Sequence, residues 1–170
     1  MSIFTNEEIY FRVWMKVMKR LLTTILAIII FATLFSAISY VPSSQREPNV
    51  YYFGFLETFL FVVIYSGPVY FLVGLPASII IDRLARVLGK HYGWKKYFIQ
   101  FGLYSLAGVL AGFVFSLFFG GTISSEEVLP LSILGLGAAI IYFHVSLLVS
   151  KIRVKEKQQA SGTEKKKEDL

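Results

Sequence analysis

Cysteine is absent from the 170 residues. Disulfides, thiolate metal ligands, iron–sulfur clusters and cysteine nucleophiles are therefore excluded. Charge is scarce as well. Asp, Glu, Lys and Arg make up 16% of the chain, against about 25% in soluble domains. There are only two histidines. No HExxH pattern, Gly-rich phosphate loop or pair of intramembrane carboxylates is present. The expectation is a protein that is not an enzyme and has no metal or cofactor site. The formal net charge of +6 does not point to nucleic acid, because the basic residues are segregated along the chain.

What the chain does have is apolar length. Hydrophobic residues make up 55%, and the mean hydropathy is +0.63. Four stretches lack any charged residue: 21–45, 58–81, 97–125 and 128–150. Each exceeds the roughly 20 residues an α-helix needs to cross a hydrocarbon core of about 30 Å. In lipid only helices and closed barrels satisfy every backbone group, and these runs are too long and too little alternating for barrel strands. The fold class expected is all-α, a polytopic bundle of four transmembrane helices near 19–41, 57–82, 97–120 and 128–151. Residues 1–18 read as an interfacial segment or an extension of the first span, with a capping box at Thr5–Glu8. Residues 152–170 read as a charged, disordered tail. The first apolar run has about 20 residues against 7–15 in a signal peptide, so an uncleaved first helix is expected.

Orientation follows from the bases. Sixteen of the seventeen lie in 12–20, 83–96 and 151–167, and only Arg46 lies between the first two spans. The positive-inside rule then puts both termini and the middle loop in the cytoplasm. The expected location is a bacterial plasma membrane, and the expected partners are the lipid bilayer and other membrane proteins or further copies of the chain. Trp14 and Trp94 fall at the inner interface, and Tyr40, Tyr51 and Tyr52 near the outer one, as an aromatic belt requires.

Within the spans, Gly108, Gly112, Ser116 and Gly120 recur every fourth residue. Gly135 and Ala139 form a shorter version on the fourth helix. Small residues on one stripe let a second backbone approach closely, and packing within the chain is the first expectation. Pro68 and Pro76 mark kink positions in the second helix, since each lacks an N–H and crowds the carbonyl four residues earlier. A hinge or a cation held by the freed carbonyls of Ile64 and Leu72 are the sharper alternatives. Ionisable groups inside a membrane are functional suspects, and the candidates here are His144 and Glu57. His144 could relay protons or bond a carbonyl, and Glu57 sits at the outer water boundary. Gln100 is placed to bond between helices, and Asp82 most simply pairs with Arg83 or Arg86.

The stretch Tyr65-Ser66-Gly67-Pro68-Val69-Tyr70, continuing through Gly74-Leu75-Pro76-Ala77-Ser78 to Asp82, resembles a motif in uncharacterised small four-helix integral membrane proteins of Gram-positive bacteria. The resemblance implies topology and localisation only. Small multidrug exporters also have four helices, but they carry a Glu inside the first helix and this chain does not. Two functions are expected. The first is a non-enzymatic accessory or interaction protein, either a membrane-complex modulator or an immunity-type protein. The alternative is a small oligomeric carrier in which His144 takes part.

Overall fold

The computed structural model describes residues 6–88, 93–120 and 125–168. All the long elements are helices, and no strand occurs among the described residues. In order they are α1 (Asn6–Ser39), α2 (Phe55–Val69), a π-helical turn (Tyr70–Gly74), α3 (Leu75–Leu88), α4 (Gly93–Gly120) and α5 (Ser125–Glu168). Four spans, Val13–Ser39, Phe55–Val87, Trp94–Phe118 and Val128–Lys151, are long and apolar enough to cross a membrane.

From Asn6 the N-terminal segment continues into the first span without a break. At 34 residues, α1 is about 50 Å long, well beyond a 30 Å hydrocarbon core. Thr23, Thr24 and Thr33 do not weaken it, because each hydroxyl donates to the carbonyl four residues back, at 2.9, 2.8 and 2.8 Å. Pro42 lies just past the end of α1, and a short 3-10 turn spans Ser43–Gln45. Asn49 has φ of 67°, a left-handed conformation that Asn tolerates better than most residues. The capping box expected at Thr5 lies outside the described residues.

The second span stays helical across Pro68 and Pro76, and a π turn lies between the two prolines. The Leu75 N–H bonds to the Tyr70 carbonyl, five residues back. One extra residue in the turn takes up the crowding around two prolines and rotates α3 by about 100° relative to α2. The consequence is a change of neighbours. The α2 segment packs mainly on α1, whereas α3 packs mainly on α4.

The third and fourth spans make the tightest contact in the molecule. A Cβ at Gly108 would overlap the Gly135 carbonyl and the Ala139 Cβ, and one at Gly112 would overlap the Leu131 carbonyl. Ser116 is buried on the same side of α4 and turns its hydroxyl to the Phe113 carbonyl at 2.9 Å. Gly120 is the last residue of α4. Gly108 and Gly112 thus serve α4–α5 contact within one chain.

The stretch read from the sequence as a charged tail is helical as far as Glu168, the end of α5. Lys, Glu, Gln, Arg and Ala are good helix formers, and a helix already nucleated by a membrane span elongates at little cost.

Candidate functional site

The four spans bring their polar residues together at one end, the end that carries most of the bases. Arg20 of α1 reaches Asp82 of α3, Nη2 to Oδ2 at 3.0 Å. Its Nη1 donates to the Ser78 hydroxyl at 2.8 Å, and that hydroxyl donates to the Leu75 carbonyl at 2.7 Å. Gln100 of α4 donates to the second Asp82 oxygen at 3.4 Å. One carboxylate therefore ties three helices.

This corrects the expected pairing of Asp82 with Arg83 or Arg86. Neighbours in sequence on a helix do not face each other, and Arg86 spends its Nε on the Asp82 main-chain carbonyl at 3.1 Å. The Arg20–Asp82 pair is only partly exposed, at 27% and 37% for the two side chains. An ion there gains more from a partner on a neighbouring helix than it would in open water.

A cavity of about 450 Å³ opens beside this bridge, with walls from all four spans. Among the described residues its charged lining is Lys16, Lys19, Arg20, Arg86 and Lys96 with one carboxylate, Asp82. The excess of positive charge favours an anion. Thr23, Ser78, Gln100, Ser146 and Ser150 add neutral hydrogen-bonding groups. Among the described residues, no group of three or more His, Cys, Asp or Glu is placed to hold a metal ion.

Inward of the cavity stands a cluster of three buried tyrosines. Tyr70 and Tyr142 stack with ring centres 6.2 Å apart, and Tyr104 lies 6.0 Å from Tyr142. The Tyr70 hydroxyl donates to the Ala138 carbonyl at 3.0 Å, and the Tyr142 hydroxyl lies 3.5 Å from that of Thr24. Reading tyrosine as an interface residue directed attention to the belt and missed this trio. The available signal was position, since Tyr70, Tyr104 and Tyr142 each lie within a charge-free run.

Two further cavities continue from the tyrosines. A narrow one of about 80 Å³ shares Tyr104 and Tyr142 with the basic cavity. It also shares Val69, Tyr70, Ala111 and Ala138 with a wider apolar cleft of about 270 Å³ between α2 and the α4–α5 pair. Phe31, Phe35, Phe61 and Phe115 line that cleft, together with Ser66. The Ser66 hydroxyl is buried without a hydrogen-bond partner among the described residues.

The two ionisable candidates lie elsewhere. His144 is exposed on α5 and lines none of these three cavities. Its Nδ1 meets the Ile140 carbonyl at 2.8 Å. A carbonyl only accepts, so this contact places the proton on Nδ1. Glu57 belongs to the start of α2, where its carboxylate accepts from the Gly54 N–H at 2.8 Å. That bond satisfies an N–H at the helix start, and the negative charge suits the helix dipole. The Tyr51 hydroxyl also donates to Glu57, at 3.1 and 3.2 Å. This bond and the carboxylate's charge hold the Tyr51 proton above the ordinary tyrosine range. His144 and Glu57 form no common site.

No protein-family model, curated protein or solved structure matches the chain.

Proposed function

We propose that this chain is a multi-pass protein of a bacterial plasma membrane, with both termini in the cytoplasm. It acts there as a non-enzymatic accessory protein that holds an anionic group at its cytoplasmic face. The observation that carries the reading is the basic cavity. All four spans build it, and its five cations face one carboxylate that Arg20 already engages. At about 450 Å³ it falls in the size range of small-molecule sites.

The helical continuation of α5 to Glu168 supports the accessory role. Its last 17 residues extend about 25 Å past the fourth span, a surface from which a membrane complex can be engaged. The carrier alternative drew on the two prolines of the second helix and on His144, and His144 lines none of the three cavities.

Two measurements test the reading. The native chain has no cysteine, so Ser44→Cys and Gln158→Cys report topology cleanly. An impermeant maleimide should label Ser44→Cys on intact cells and Gln158→Cys only after permeabilisation. The reverse pattern overturns the orientation. Millimolar inorganic phosphate should raise the melting temperature of the purified protein, and Lys16→Gln with Lys96→Gln should abolish the rise. No rise in the parent protein overturns anion binding.

A further inference from the structure

We infer that the anion is the head of a lipid whose hydrocarbon chain lies in the apolar cleft. This inference rests on the anion-binding reading and names the ligand for that site. The motivation is continuity. The basic cavity, the narrow passage and the cleft share lining residues in succession, first Tyr104 and Tyr142, then Tyr70 and Ala138. A polar, positively charged chamber and an apolar cleft therefore lie in series along the bundle, with the buried rings of Tyr70, Tyr104 and Tyr142 in the wall between them. Such a sequence of environments matches one molecule with a phosphate at one end and a long apolar chain behind it.

The two ends are chemically distinct. The basic cavity offers cations and hydroxyls, while the cleft is bounded by phenylalanines, aliphatic side chains and small residues. A soluble anion would use the first region and leave the second without a role. A neutral lipid would use the second and leave the first without a role. A phospholipid whose head carries net negative charge satisfies both. The cleft is also formed for a reason visible in the fold. The π turn re-aims the second span, so α3 closes on α4 while α2 stands off from it. In a bilayer the gap between α2 and the α4–α5 pair faces hydrocarbon, and an acyl chain is the group available to fill it.

Native mass spectrometry of the full chain in mild detergent tests this. The probes are dioleoyl phosphatidic acid, its dihexanoyl counterpart, inorganic phosphate and dioleoyl phosphatidylcholine. One dioleoyl phosphatidic acid should remain bound per chain under conditions that strip the dihexanoyl form, because only its longer chains reach the cleft. Lys16→Gln with Lys96→Gln should weaken both phosphatidic acids. Ala111→Phe, or independently Val69→Phe, should weaken only the dioleoyl form. Retained binding of the dihexanoyl form shows that such a variant is folded.

Equal affinity for the long and short forms overturns the lipid inference but leaves anion binding intact. Phosphatidylcholine held as tightly as phosphatidic acid overturns it too, because the head would then be unread. Variable numbers of bound lipids, insensitive to every substitution, mark an annulus and overturn it as well. Failure of phosphate and both phosphatidic acids to bind removes the anion reading itself.

Discussion

The two sides of this bundle solve the same problem in opposite ways. On the α4–α5 side, helices meet backbone to backbone, with Gly108 against Gly135 and Gly112 against Leu131. On the α2 side, the first half of the second span keeps its distance from that pair, and aromatic rings border the gap. Lipid tails are as apolar as leucine, so helices in a membrane gain nothing from apolarity alone. Close approach has to come from shape. Small residues provide it on one side, and the bulk of Phe31, Phe61 and Phe115 prevents it on the other. A clasped side gives rigidity, and an open side gives room for a ligand.

The largest effect should come from filling the clasp. Gly108→Leu or Gly112→Leu drives a side chain into main-chain atoms of α5, and the loss should reach about 3 kcal/mol or more. Gly102, whose Cβ would meet nothing within 4 Å, is the control. There Gly→Ala should be neutral or stabilise by up to about 1 kcal/mol. Equilibrium unfolding in mixed micelles compares the two. Equal tolerance at Gly102 and Gly108 would erase the contrast between the sides.

Next is the bridge that joins the sides at the basic end. Arg20→Met should cost about 1–2 kcal/mol, between the values for exposed and buried ion pairs. Asp82→Asn should cost less once Arg20 is gone, and a double-mutant cycle on unfolding free energies measures that coupling. A coupling near zero would mean that Arg20 and Asp82 contribute independently.

A smaller loss is expected at the middle. Tyr70→Phe removes the bond to the Ala138 carbonyl and should cost about 0.6 kcal/mol, the typical worth of an interhelical hydrogen bond in a membrane. The same unfolding assay reads it, and a cost above about 2 kcal/mol, beyond the largest such bond measured, would make Tyr70 more than a spacer.

The smallest effect lies outside the membrane. Glu57 raises the Tyr51 pKa above its ordinary 10.0. A raised folded-state value means that the stabilisation is fully present below pH 10.0 and fades as pH rises through the raised value. Melting temperatures of the parent and Tyr51→Phe should therefore differ slightly at neutral pH and converge in strong alkali. A gap that widens with pH would give the opposite sign.

The four spans were legible in the sequence because lipid demands unbroken apolar runs, and such runs are hard to mistake. The small-residue stripe was also legible, since Gly108, Gly112 and Ser116 keep a four-residue step that maps onto one helix face. The partners of Asp82 were not. A local rule offers Arg86, and only the tertiary arrangement brings Arg20, sixty-two residues away, within 3.0 Å. The π turn was hidden for a related reason. Two prolines announce a disturbance, but whether a helix kinks, breaks or takes in one extra residue depends on what packs around it. His144 and Glu57 drew attention through their charge type. The cavity is built instead from lysines and arginines that the orientation rule had already accounted for.

On the lipid proposal, acyl chains enter the gap between α2 and the α4–α5 pair. Quenching of a single tryptophan by lipids brominated at mid-chain tests it most directly. With Trp14 and Trp94 replaced by Phe, one tryptophan is introduced at a time. Leu72→Trp, at a position 76% exposed, reports lipid contact, and Phe143→Trp, at a position 1% exposed, reports the core. Phe115→Trp reports the cleft. Quenching at position 115 close to that at 72 is the expected result. Protection at 115 equal to that at 143 would mean that α2 closes over the gap, and it would contradict the account.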